Sequence, residues 1–369
     1  MRLMDAGRRL MAVLLAAGAL SACTTPYHPP VFVEGSPDFA GLADLLDPAR
    51  PLDVILVHGM CTHDEQWAHA AMDEVIHAID SNVKPAPAAV RVGAANALPE
   101  VQVVQREDTI AGAKLHFTAL IWSPLTTPLK RQLEFDMTGT PTDCAAAGEC
   151  KPTRAKVNGQ LKDKLMNDCL ADALVYEGAA RGAIRGAMAA RLAQVLDGAT
   201  DPSAPLVLVS DSLGSKVVFD ALIELLGGMS SASVQATARK GSDRLAQVFM
   251  NANQLPILGL ADQTIPTVAT TPSAQGAPTD SLQRYLRLRE QARRLKVVAL
   301  TDPNDLLSYR LMPSRYAGEN VDIADVLVSN DKTYFGLLSR PDTVHVGYSA
   351  NPDAVAVIAC GKPRSARCR

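Results

Sequence analysis

Ser212 stands between an apolar run and an apolar helical stretch in LVLVSDSLGSKVVFDAL (206–222). A serine hydroxyl is a weak nucleophile until a base removes its proton, and the base needs a carboxylate to orient it. Two positions either side of Ser212 stand small residues, Ser210 and Gly214, as a tight strand-to-helix turn requires. In such a turn the hydroxyl clears the sheet edge and sits over the N-terminus of the next helix. The Leu213 N–H then points at negative charge developing on a carbonyl held above the serine. Asp211 adjoins the serine and would oppose an alkoxide unless it is paired or turned away.

Seven histidines could supply the base: His28, His58, His63, His69, His77, His116 and His345. His63, His69 and His77 follow one another at intervals of six and eight, which is not the i, i+4 spacing of a helical metal pair. No metal and no cofactor is expected. His345 lies in DTVHVGYSANPDAVAVI, on a turn before the last helical stretch. For the carboxylate, VVALTDPNDLLSYRL offers Asp302 and Asp305 after one apolar run. Asp302 precedes a proline and also suits the opening of a turn. Asp342, three residues before His345, suits the ordering of that loop.

The elements that must bring these residues together can be read from hydrophobic runs. LDVILV (52–57), PLVLVS (205–210), RLAQVFMNAN (244–253) and KVVALTD (296–302) are short continuous apolar runs, the pattern of strands buried on both faces. EVQVVQRE (100–107) and KLHFTALIW (114–122) alternate like a hairpin pair. Helical spacing covers 64–80, 161–198, 213–226, 282–295 and 352–361, with one further turn near 129–135. Strand and helix alternate, so the fold class is α/β: a mostly parallel sheet with helices on both faces. The turns HGM, SDSLGS, TDPND and DTVHVG then share the carboxyl edge of the sheet, where ligands bind in such folds.

On these residues the chain, from about 50 to 361, resembles the α/β-hydrolase family, with a helical or loop insertion at about 123–198 before the nucleophile. It has Ser210 and Asp211 where that family usually has Gly and often His. The resemblance implies the chain order serine, acid, histidine. It makes Ser212 the nucleophile, His345 the base and Asp305 the acid, with Asp302 as second choice. It assigns the second oxyanion donor, beside Leu213, to the Met60 backbone in VILVHGM, and gives His58 a structural part. The implied activity is hydrolysis of carboxylic esters through an acyl-enzyme, on a small-molecule ester or lipid substrate. A different class of function, a non-catalytic envelope lipoprotein that uses a hydrolase fold to bind lipid or protein, is favoured by Asp211 alone.

The N-terminus carries an address. MRLMDAGRRL is a basic head, and MAVLLAAGAL is an apolar run of ten, too short to span a bilayer as a helix. Leu20-Ser21-Ala22 before Cys23 is similar to the lipobox of bacterial lipoproteins. That resemblance implies removal of 1–22, lipidation of Cys23 and, with Thr24 following, sorting to the outer membrane of a Gram-negative cell. TTPYHPPVFVEGSP reads as Pro-rich linker, so residues 23–50 are expected to form a tether and 51–369 the hydrolase-like domain. The polar, Pro-rich stretch 262–281 is a long loop.

The whole chain of 369 residues has net charge −3, and removal of 1–22 takes three Arg and one Asp and leaves −5. No basic excess suggests a nucleic-acid partner. The six cysteines after Cys23 suit disulfides in an exported protein. Closeness in sequence suggests Cys144 with Cys150 and Cys360 with Cys368.

Overall fold

Nine strands run side by side through the middle of the computed structural model, which describes residues 23–84, 89–91, 99–138, 153–227, 230–263, 265, 280–289 and 293–368. In chain order the strands are β1 (Cys23–Thr24), β2 (Val31–Phe32), β3 (Leu52–Val57), β4 (Ala89–Arg91), β5 (Gln102–Ile110), β6 (Ala113–Ile121), β7 (Leu206–Asp211), β8 (Leu245–Asn251), β9 (Leu295–Thr301), β10 (Val321–Leu327) and β11 (Thr333–Tyr334). The large sheet has the order β2-β10-β9-β8-β7-β3-β6-β5-β4. The central run from β10 to β6 is parallel, and the pairs β10·β2, β6·β5 and β5·β4 are antiparallel. β1 pairs separately with β11.

Continuous apolar strands need cover on both faces, and the core divides accordingly. One face carries Ile55, Val57, Leu208, Met250 and Ala299 under the helices Arg181–Asp197, Leu213–Leu226 and Ser281–Leu288. The other carries Val54, Leu56, Val209, Phe249 and Leu300 under Glu65–Ile79 and Pro352–Cys360. This is the mostly parallel α/β sheet with helices on both faces expected from the sequence.

Three expectations change, and one strand is new. The stretch 23–50 is folded onto the domain and is not a free tether. Val31–Phe32 adds a strand to the sheet edge, and Phe39, Leu42, Ala43 and Leu46 are buried in the second core. Those apolar side chains outweigh the linker-like prolines before them. The region 123–198 is not one insertion: Arg181–Asp197 covers the sheet directly through Ile184, Met188, Leu192 and Leu196. The helix read at 282–295 is Ser281–Leu288, and Leu295 already belongs to β9. β10, unread in the sequence, completes the parallel run.

Cys61 pairs with Cys169, and Cys360 with Cys368. Cys144 and Cys150 lie outside the described residues, as does most of 262–281. No helix among the described residues is long and apolar enough to cross a membrane.

Candidate active site

β7 runs into Ser212, whose backbone sits at φ 51°, ψ −125°. This is a positive-φ conformation that a residue with a Cβ adopts only when its surroundings hold it there. They do so from three sides. The Ser212 N–H donates to Asn251 O at 2.7 Å, which ties the turn to the end of β8. Gly59 lies so close that a Cβ there would stand 2.7 Å from the Ser212 Cβ. A Cβ on Gly214 would stand 2.2 Å from His58 O. The HGM loop is therefore pressed against the serine turn, and both glycines are there for close approach. Ser210, where the resembling family has Gly, is accommodated because its Oγ pairs with Ser215 Oγ at 2.9 Å.

The Ser212 Oγ lies 2.9 Å from His345 Nε2. On the far side of the ring, His345 Nδ1 is 2.9 Å from each oxygen of Asp305. A carboxylate accepts only, so Nδ1 carries the proton and Nε2 is left to accept from the serine. Ser212 is 4 % exposed and His345 5 % exposed, so the pair lies in a region where water screens charge weakly.

The carboxylate of Asp305 also accepts from the Leu307 N–H at 3.0 Å and from the Tyr348 hydroxyl at 3.2 Å. Asp302 is elsewhere: its two oxygens accept from the backbone of Asn304 at 2.8 Å and of Asn330 at 2.7 Å. The second-choice acid thus caps a turn. Asp342 pairs with Arg340 at 2.6 Å. Asn330 and Tyr348, which sequence reasoning missed, hold the histidine loop. The Asn330 Nδ2 donates to Val344 O at 2.9 Å, and the Tyr348 hydroxyl accepts from the Asp302 N–H at 2.7 Å. An asparagine or tyrosine in a loop carries no pattern that would have announced this.

The sequence assigned two backbone donors. Leu213 is the first residue of a helix, so its N–H has no acceptor within that helix. Met60 follows Gly59 on the loop packed against Ser212, and both Met60 and Leu213 are buried. His58 shapes the loop. Its Nδ1 donates to Gly59 O at 2.8 Å, and its Nε2 accepts from the Trp122 N–H at 2.9 Å. Burial, with His63 nearby, holds its pKa well below the ordinary imidazole value.

Asp211 accepts from Asn251 Nδ2 at 2.8 Å. Burial pushes its carboxyl up to about 6, against the opposing effects of Asn251 and His345. At neutral pH a group with that value is still mostly ionised; its charge is met by Asn251, and a proton removes it only as pH falls through about 6. Among the described residues the one cluster of potential metal ligands is Cys61, Cys169 and Asp168, and its two sulfurs are joined to each other.

No protein-family model matches the chain, and a search of curated proteins finds no match. Among solved structures, the chain is similar to the LpqC poly(3-hydroxybutyrate) depolymerase of Bordetella parapertussis, at 14% identity and TM-score 0.26, over 74% of this chain and 65% of that one. It spans about two thirds of that neighbour's length. Acetyl xylan esterase 1 of Thermoanaerobacterium sp. JW/SL YS485 is similar at 9% identity and TM-score 0.23, over 73% of this chain and 89% of that one.

Proposed function

We propose that the protein is a serine hydrolase of carboxylic esters, with Ser212 as nucleophile, His345 as base and Asp305 as acid. The observation that carries this reading is the unbroken chain from Ser212 Oγ through both ring nitrogens of His345 to Asp305, each contact 2.9 Å long. His345 Nε2 takes the hydroxyl proton as Oγ bonds to the ester carbonyl carbon. The N–H groups of Met60 and Leu213 receive the oxyanion, a contribution of about 3–4 kcal/mol per well-placed donor. The imidazolium, steadied by Asp305, returns its proton to the departing alkoxide, and the alcohol leaves an acyl-Ser212. Water then gives a proton to Nε2 and attacks the acyl carbon, which releases the acid and the free serine.

The same proposal places the protein at a membrane. Cys23 carries acyl chains after removal of residues 1–22, and the protein sits in the cell envelope at the outer membrane. The exposed, unpaired thiol of Cys23 agrees with this.

Hydrolysis of p-nitrophenyl esters of graded acyl length tests the assignment. Ser212→Ala is expected to lower kcat/KM by roughly 10⁴–10⁶-fold and Asp305→Asn by about 10⁴-fold. Asp302→Asn should act mainly on stability. Equal losses in the two Asp variants would transfer the acid's part away from Asp305. A folded protein that hydrolyses none of the esters supports the binding lipoprotein instead.

A further inference from the structure

We propose that the turn Tyr334–Leu338 is a surface that inserts into a lipid bilayer beside the N-terminal anchor. Four large apolar side chains lie open to solvent there: Tyr334 at 41 %, Phe335 at 68 %, Leu337 at 88 % and Leu338 at 62 %. Single exposed apolar residues are ordinary on a protein surface, but four in one five-residue turn form a patch that calls for a partner. The turn is built to hold them outward. Phe335 and Gly336 both take positive φ, and Tyr334 and Leu338 close the turn by pairing across it.

The partner follows from what lies next to the turn. Tyr334 is the strand partner of Cys23, and Thr333 that of Thr24. The Thr24 and Thr333 hydroxyls also pair side by side at 2.5 Å. Cys23 is the residue that immediately follows the apolar run 11–20 and its small-residue boundary. Whatever apolar group leaves the domain at Cys23, acyl chains or polypeptide, leaves it at this patch. A second apolar signal beside a lipid anchor is what turns marginal attachment into stable attachment. The flanking charges, Asp331, Lys332, Arg340 and Asp342, sum to zero, and Arg340 is paired with Asp342. Binding therefore draws on burial of apolar surface, and zwitterionic lipid suffices.

The docked segment continues through the short helix Pro341–Val344 to His345. Insertion of the turn thus brings the candidate active-site edge down to the bilayer, where esters that partition into lipid are concentrated. This consequence rests on the hydrolase reading; the docking itself does not.

The test uses the full chain carrying Phe335→Trp, reconstituted with dioleoylphosphatidylcholine vesicles. The parent protein, with its two native tryptophans, gives the spectrum to subtract. The added tryptophan is expected to shift to the blue and to be quenched when brominated phosphatidylcholine replaces part of the lipid. Leu337→Lys with Leu338→Lys in the same chain should abolish both effects, because these exposed positions leave the core intact. A vesicle-bound protein whose added tryptophan stays water-like and unquenched overturns the proposal. So does quenching that survives the lysine pair, which would report nearness without insertion. A blue shift that grows with protein concentration in the absence of vesicles would assign the patch to a second copy of the chain. An unmodified Cys23 in the intact mass of the exported protein refutes the acyl anchor alone, and lost ester hydrolysis refutes the hydrolase alone.

Discussion

The hydroxyl of Ser212, the imidazole of His345 and the carboxylate of Asp305 meet although they stand 133 and 40 residues apart in the chain. The side-chain types and their order were legible in the sequence because strand-end turns collect functional residues. The preference for Asp305 over Asp302 came from the family resemblance alone, because Asp302 follows β9 directly and Asp305 three residues later, and only the direction of the turn separates them. The state of Asp211 was not legible. Its carboxyl is raised in the fold from 3.8 to about 6 by burial. A group raised in this way contributes stability below about pH 4, and that contribution is lost as pH rises through about 6. Asp211→Asn keeps the acceptor for Asn251 Nδ2 and offers an amide to Asn251 Oδ1, which is buried without a partner among the described residues. The variant should therefore gain stability over the parent at pH 8, on the order of 1–3 kcal/mol. The gain should shrink at pH 4. Thermal melts at the two pH values read the difference, and an equal change at both would contradict the burial account.

Among the elements, the loop after β3 is the one whose position matters most to the site. Cys61, the residue after Met60, takes φ 77° and is bonded to Cys169 in the helical segment Leu161–Leu170. Thr62 adds its N–H and hydroxyl to Asp168, and His63 N–H donates to Ser123 Oγ. The disulfide closes a span of 108 residues, and loss of such a crosslink costs about 2–5 kcal/mol. Cys61→Ala with Cys169→Ala is expected to lower the unfolding free energy by that amount and to lower kcat more than it raises KM. Denaturant unfolding and steady-state kinetics check the two parts. Unchanged kcat would mean that the other contacts suffice to hold Met60. Neither cysteine had a sequence neighbour to suggest this pairing, whereas Cys360 and Cys368 did. β10 was hidden for a related reason. Its apolar run is broken by Asp322 and Asp325, and Asp325 is buried only because the N–H groups of Leu311 and Met312 satisfy it.

Across the whole molecule, the sheet with its two helical layers is fixed by continuous apolar strands, and that much could be read directly. The charged seam within one of those layers could not. Behind Ser212, Lys216 is 1 % exposed and meets Asp220 at 3.2 Å and Asp262 at 3.1 Å. Arg181 meets Asp262 at 2.6 Å and Asp220 at 3.4 Å. The seam joins Arg181–Asp197, Leu213–Leu226 and the segment Gly259–Asp262, three elements distant in sequence. In the sequence these residues look like ordinary solvated charges. Partial burial raises the Asp262 carboxyl, but Arg181 and Lys216 outweigh it and bring the carboxyl down to about 2. Its contribution to stability is present above about pH 4 and disappears as pH falls through about 2. Asp262→Asn should lower the Tm at pH 6 and have no effect near pH 2. A Tm difference that persists in acid would show that the ion pairs are not its source.

The most direct measurement is covalent. The purified full chain is treated with a fluorophosphonate, digested, and the modified peptide is sequenced by mass spectrometry. One adduct is expected, on Ser212, and it should form at least a hundredfold more slowly in His345→Ala, as about 10²-fold or more follows from loss of a positioned base. A folded protein left unmodified at Ser212, or one modified as fast without His345, contradicts the assignment of that pair.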